Sequence, residues 1–148
     1  MQFFALPLAR MLLSLLFIVT GYAKVAGFGG QNMQGWINYA KPRLLIPGTT
    51  DSLPNPELLA QIAAYGELVG GIMLFIGILS RVTAFGLLAF TIVASVLGHA
   101  FWMIADVGPS FLQLQQFLKN MGIVGGLLVI IGAGGGAISI DGMFRRPQ

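Results

Sequence analysis

"QIAAYGELVGGIMLFIGIL", residues 61–79, holds one carboxylate, Glu67, in a run that is otherwise uncharged. A stretch this apolar either fills a large soluble core or crosses a bilayer, for which about 20 mostly apolar residues suffice. Composition decides between them. Of the 148 residues, 56% are hydrophobic and 9% charged, whereas a soluble domain carries about 25% charged residues. A soluble chain this short would leave too much of its surface in water to hide that much apolar area. The solvent is lipid, and Glu67 becomes an ionisable group deep in a membrane.

Four segments are long enough to span, near residues 4–26, 56–80, 82–104 and 111–133. The first differs from a cleavable signal, because residues 1–9 are uncharged and Arg10 interrupts the apolar run. Asn55-Pro56-Glu57 reads as a helix start: a capping side chain, a proline in the first turn and an acid at the positive end of the dipole. The short Ser80-Arg81 connection makes spans two and three an antiparallel hairpin. The glycines at 132 and 134–136 end the fourth span, leaving a tail over 134–148 at the membrane surface. The fold class is therefore an all-α membrane protein, a four-helix bundle in one domain over residues 1–148. In the long connection, 27–55, Met33, Trp36, Ile37 and Ala40 recur at helical spacing, so it carries either a short interfacial helix or an ordered capping loop. Arg81 and the Arg145-Arg146 pair modestly favour both termini on the cytoplasmic side.

Counting 1.5 Å per residue from the span ends at the 27–55 side puts Glu67 about 16 Å deep, Asn120 about 14 Å, Lys119 about 12 Å and His99 about 8 Å. Three spans thus carry polar groups in one half of the bilayer. A lone charge at the bilayer centre costs roughly 2.5–3.5 kcal/mol on insertion scales, so such groups turn inward and pair. The expected pair is Glu67 with Lys119, and Arg10 is the second candidate, reaching from the opposite side. Lys24 lies near the boundary and reads as a snorkelling cation. Gln113, Gln116 and Asn120 form one stripe, and Gly122 with Gly126 offers a close helix contact. His99 and Trp102, a turn apart, suit an interfacial position, and His99 can alternatively handle protons near neutral pH. Polar packing without any ligand is the competing account of the whole cluster.

Several chemistries are excluded. The chain has no cysteine and a single histidine, so disulfides, cysteine-held iron–sulfur clusters, zinc sites and bis-histidine haem lack their ligands. No phosphate loop, dinucleotide fingerprint or hydrolytic triad is present. The formal charge of +3 is spread over scattered cations, which speaks against nucleic acid and for membrane topology.

Three stretches, "PLARMLLSLLFIVTGYAKVAGF", "GELVGGIMLFIGILSRVTAFGLLAFTIVASVLGHAFW" and "QFLKNMGIVGGLLVIIGAGGGAISID", resemble the DoxX family, and most closely its YphA-like inner-membrane members. The likeness rests on an ordered set: Arg10, Gly21 with Lys24, Glu67, Gly77 with Arg81, Gly98-His99 with Trp102, Lys119-Asn120, and Ser139 with Asp141. It implies a multi-pass protein of the bacterial inner membrane. The family takes its name from a subunit of a thiosulfate:quinone oxidoreductase, and another member belongs to an oxidoreductase complex of oxidative-stress defence. On that ground the expectation is a membrane subunit that binds a quinone or similar lipophilic molecule beside a redox partner. Glu67, Lys119, Asn120, His99 and Arg10 would form the ligand cluster, with Gln116, Trp102 and Lys24 secondary. The alternatives are a non-catalytic structural or assembly subunit and a small transporter, for which four spans leave little room without oligomers; a homo-oligomer is a further expected partner.

Overall fold

The computed structural model describes residues 2–26 and 55–144. The expected interfacial helix around Met33, Trp36 and Ala40, and the Arg145-Arg146 pair, lie outside them. Four long helices form: α1, Gln2–Ala26; α2, Pro56–Ile76; α3, Ser80–Gly98; and α4, Val107–Ala133. A 3-10 turn, Phe101–Met103, links α3 to α4, and a short α5, Ile140–Met143, follows the glycine run. All four long helices are apolar enough to cross a bilayer. Only 17–28% of each spanning window is buried inside the protein, so the rest of these apolar faces is left for lipid, where unsatisfied backbone is prohibitive and helices are required.

The helix ends follow local chemistry, with one correction. Asn55 adopts the left-handed conformation and its side chain makes no cap, so the expected capping side chain is absent while the proline of the first turn holds. Gly77 ends α2 four residues earlier than expected because it takes φ +76. Its amide and that of Ile78 both return to the Met73 carbonyl, at 2.9 and 3.0 Å, a Schellman-type closure. Gly134 ends α4 as the glycine run implied.

Close approach of α1 and α2 sets their register. A Cβ on Gly21 would lie 2.5 Å from the Leu68 backbone nitrogen, and one on Gly71 would lie 2.8 Å from that of Ile18. Neither position tolerates a side chain without the helices separating. Those two contacts run antiparallel, so Ala26 at the end of α1 is level with about residue 63, and α2 overshoots α1 by about 10 Å. Gly70 packs against Leu87 of α3, and Gly126 of α4 against Leu13 of α1. The core is Phe17, Leu74, Ala84, Leu87, Leu127 and Ile130.

Candidate functional site

The overshoot of α2 decides the partner of Glu67. Because α1 ends lower in the bilayer than α2 begins, Lys24 sits at the depth of Glu67 rather than at the boundary. Lys24 and Glu67 form a buried ion pair, their side chains 6% and 7% exposed. The Thr20 hydroxyl, one turn before Lys24, lies 2.8 Å from the same Glu67 oxygen, Oε2, and 2.9 Å from the Leu16 carbonyl, so its single proton serves one of the two at a time. Thr20 is itself exposed, as are Tyr22 and Tyr65. The carboxylate is therefore one hydroxyl away from the lipid-facing surface.

This overturns three expectations. Lys24 is not a snorkelling cation. Lys119 is not the partner of Glu67; Leu13 touches Gly126, which by antiparallel counting puts Lys119 level with Thr20, so the expected depth is right, but Lys119 points outward and bonds Gln116 on its own helix. Arg10 does not reach Glu67 either. It lies level with about residue 79, past the end of α2 and roughly 18 Å from the level of Glu67, fully buried, with Nη2 donating to the Ile138 carbonyl at 2.6 Å. The remaining candidates scatter: His99 Nδ1 is 2.7 Å from Gln113 Oε1, Gln116 is exposed, and Asn120 is half-buried on the line of Ile123, Leu127 and Ile130. Trp102 does not stack above His99, since α3 stops at Gly98; it meets Phe101 and Phe117 edge-on, at 5.0 and 6.0 Å.

A second polar centre forms at the end of the bundle that carries the start of α1 and the end of α4. The glycine turn after α4 folds α5 back, and Asp141 meets the start of α3. Its Oδ1 accepts from the Leu79 amide at 2.8 Å and its Oδ2 from the Ser80 amide at 2.6 Å, while its own amide donates to the Gly77 carbonyl at 3.0 Å. That grip holds Leu79 at φ +48, a left-handed conformation costing roughly 1–3 kcal/mol. Burial works against the charged form of Asp141, but the Ser80 side chain, the two amides and the Arg10 charge outweigh it and hold the carboxyl below its ordinary value. Ser80 is wholly buried beside that carboxylate. Ser139 caps α5 by accepting from the Gly142 amide at 2.9 Å. Beside these residues opens a pocket of about 470 Å³ between the α2–α3 turn and the glycine run.

Of this second centre, the sequence singled out Arg10, Ser139 and Asp141 but not their convergence. Thr20 was missed at the first centre, although its spacing of four residues before Lys24 puts both on one face. Among the described residues no group of three or more metal-ligating side chains comes together.

The DoxX family model matches residues 5–100 and the SURF4 family model residues 56–146. The chain is 33% identical over 138 residues to the inner membrane protein YphA of Escherichia coli (strain K12), covering 92% of this chain and 87% of that protein. It is 27% identical over 138 residues to the inner membrane protein YqjF of the same strain, covering 93% and 90%. No solved structure matches it.

Proposed function

Since this chain belongs to the DoxX family, we propose that it serves as a membrane subunit of an oxidoreductase system and receives a quinone or similar lipophilic molecule from the bilayer. The observation that carries this reading is the Thr20–Glu67–Lys24 cluster: a buried carboxylate with a counter-ion behind it and an exposed hydroxyl in front. Ionisable groups at this depth are expensive in lipid and mark proton or ligand paths. A quinone head arriving between Thr20 and Tyr65 would exchange a hydrogen bond with the threonine, and Glu67 would give or take the proton, with Lys24 stabilising the carboxylate. The electron-transfer cofactor belongs to a partner protein. On this reading the whole chain is one membrane domain of the bacterial inner membrane, a location supported by the names of the inner membrane proteins it resembles, and both termini are cytoplasmic, which the Arg81 and Arg145-Arg146 charges favour. Because the sequence has no cysteine, single cysteines introduced at residues 2 and 147 report the orientation: a membrane-impermeant maleimide should label neither in intact cells and both after lysis.

The ligand reading is tested by photolabelling with an azido-ubiquinone analogue in native membranes. Labelled peptides should map to α1 and α2 around Thr20 and Glu67, with competition by unmodified ubiquinone. Glu67→Gln keeps the shape but not the charge, and should reduce the labelling while the protein still assembles. Labelling that is unaltered by Glu67→Gln would remove the cluster from ligand binding.

A second reading, an assembly subunit without a ligand, is favoured by one feature: the same ion pair joins α1 to α2 and reinforces the register that the Gly21 and Gly71 contacts set. Unchanged labelling together with a large stability loss on breaking the pair would select it.

A further inference from the structure

We propose that the seam between α1 and α4, in its half nearer residues 27–55, is a lateral cleft that takes a lipophilic monoanion, a single-chain carboxylate amphiphile, from the bilayer. This cleft is independent of the quinone reading, which brings its ligand to Thr20 from the side of Tyr65.

In the other half of the seam the two helices touch: a Cβ on Gly126 would lie 2.8 Å from the Leu13 side chain. Thr20 follows Leu13 by seven residues and Lys119 precedes Gly126 by seven, so each stands two turns away on the same side of its helix as that contact. The two residues share one level and border the same gap, yet both are exposed at its mouth. Among the described residues no hydrogen bond joins them: Thr20 turns to Leu16 and Glu67, and Lys119 to Gln116. The helices have therefore parted within about 10 Å of their contact. The core-facing line of α4 opens in the same direction. Leu127 and Ile130 are 0% and 1% exposed, Ile123 and Asn120 are half-buried, and Gln116, two turns before Ile123 on the same side, is exposed.

The donors and the charge of the cleft select its ligand. On the α4 wall the Lys119 ammonium donates to Gln116 Oε1, which engages the amide's acceptor and leaves its N–H groups and the other ammonium protons to donate. Behind the α1 wall Glu67 and Lys24 neutralise one another, so the charge left over at this level is that of Lys119. A cation within the hydrocarbon is expensive and gains most from a partner of opposite sign. The ligand must accept hydrogen bonds, and a single negative charge balances the site. Depth narrows the class. Lys119 lies about 12 Å below the end of its span, inside the hydrocarbon layer rather than among the headgroups. A bulky phospholipid headgroup stays above that level, whereas a carboxylate on one acyl chain is small enough to be drawn down to the ammonium while its chain remains in lipid.

The test uses the full chain, delipidated in mild detergent. Palmitate is the probe, and hexadecanol, equally long but uncharged, is its control. Equilibrium dialysis should find one saturable palmitate site and at least tenfold weaker binding of hexadecanol, since a charge-assisted hydrogen bond corresponds to roughly ten- to hundredfold in affinity. Lys119→Gln should weaken palmitate about tenfold or more, and Lys119→Arg, which keeps the charge, should restore most of it. Arg81→Gln removes an exposed cation at the opposite end of the spans and should leave binding unchanged. A palmitate analogue with a diazirine near its carboxylate should crosslink to α1 and α4 together. Absence of a saturable site, equal binding of hexadecanol, or equal weakening by Arg81→Gln would overturn the cleft. So would displacement of palmitate by a neutral ubiquinone analogue at equal concentration, an outcome that leaves the quinone reading standing.

Discussion

Glu67 and Asp141 are both acids docked onto a neighbouring helix, and they are held in opposite ways. Glu67 relies on side chains alone, the Lys24 ammonium and the Thr20 hydroxyl. Asp141 is held chiefly by backbone, the amides of Leu79 and Ser80. The difference follows from position along the helices. Within a span every amide is committed to the i→i−4 ladder, so a carboxylate there can be neutralised only by another side chain. At a helix start the first amides are free, and an acid can settle on them without a counter-ion in contact. A mid-membrane acid therefore depends chiefly on one charged partner, whereas a terminal acid spreads its dependence over several weak ones.

The sharpest way to break that contrast is to remove the one partner. Glu67→Ala or Lys24→Ala leaves a charge buried and uncompensated, an effect of roughly 3–5 kcal/mol. The double variant should recover part of the loss, with a coupling of about 0.5–3 kcal/mol. Unfolding in detergent followed by circular dichroism reads all three. Additive losses would mean that the two residues act independently and that the pair does not fix the register of α1 against α2.

Breaking the terminal acid should cost less, because its partners are shared. Asp141→Asn keeps a hydrogen-bonding side chain over the Leu79 and Ser80 amides but loses the charge, and about 1 kcal/mol is the usual scale for a cap. The pH dependence carries a sign. The folded carboxyl titrates below its ordinary value, so its contribution is complete above the unfolded value of about 3.9 and is lost as pH falls through the lower folded one. Unfolding midpoints measured from pH 6 down to 2.5 should drop in the native chain, with a smaller acid-side drop in Asp141→Asn. Parallel curves would take Asp141 out of the acid response.

The two acids also differ in how far the sequence revealed them. The four spans were legible because lipid imposes length and hydropathy directly, and Gly134 ended α4 as glycine runs do. Glu67 was legible as a buried group because a carboxylate within a spanning apolar run must turn away from lipid and find a partner. That partner was not legible, since depth was counted from the end of each span as if the ends were level. The overshoot of α2 past α1 is set by backbone contacts at Gly21 and Gly71, and nothing in either helix alone states it. Arg10 and Asp141 are 131 residues apart in sequence, and their approach depends on a glycine turn whose φ values, +85 at Gly134 and +82 at Gly136, no spacing rule supplies. The direction in which Lys119 points escaped the sequence for a simpler reason. Its neighbours Gln116 and Asn120 form a polar stripe, and the lysine sits beside that stripe, not on it.

That last point gives the smallest effect and the finest discrimination. Two lysines, Lys24 and Lys119, lie at about the depth of Glu67, but only Lys24 is buried against it, while Lys119 is exposed with Gln116 as its partner. Lys119→Gln removes a charge that pairs with no acid in this arrangement, so it should not destabilise the bundle and should show no coupling to Glu67→Ala. A loss of several kcal/mol would mean that Lys119 turns inward and shares the carboxylate. A near-zero value beside the large Lys24 effect would establish that facing direction, at equal depth, decides which cation a buried acid recruits.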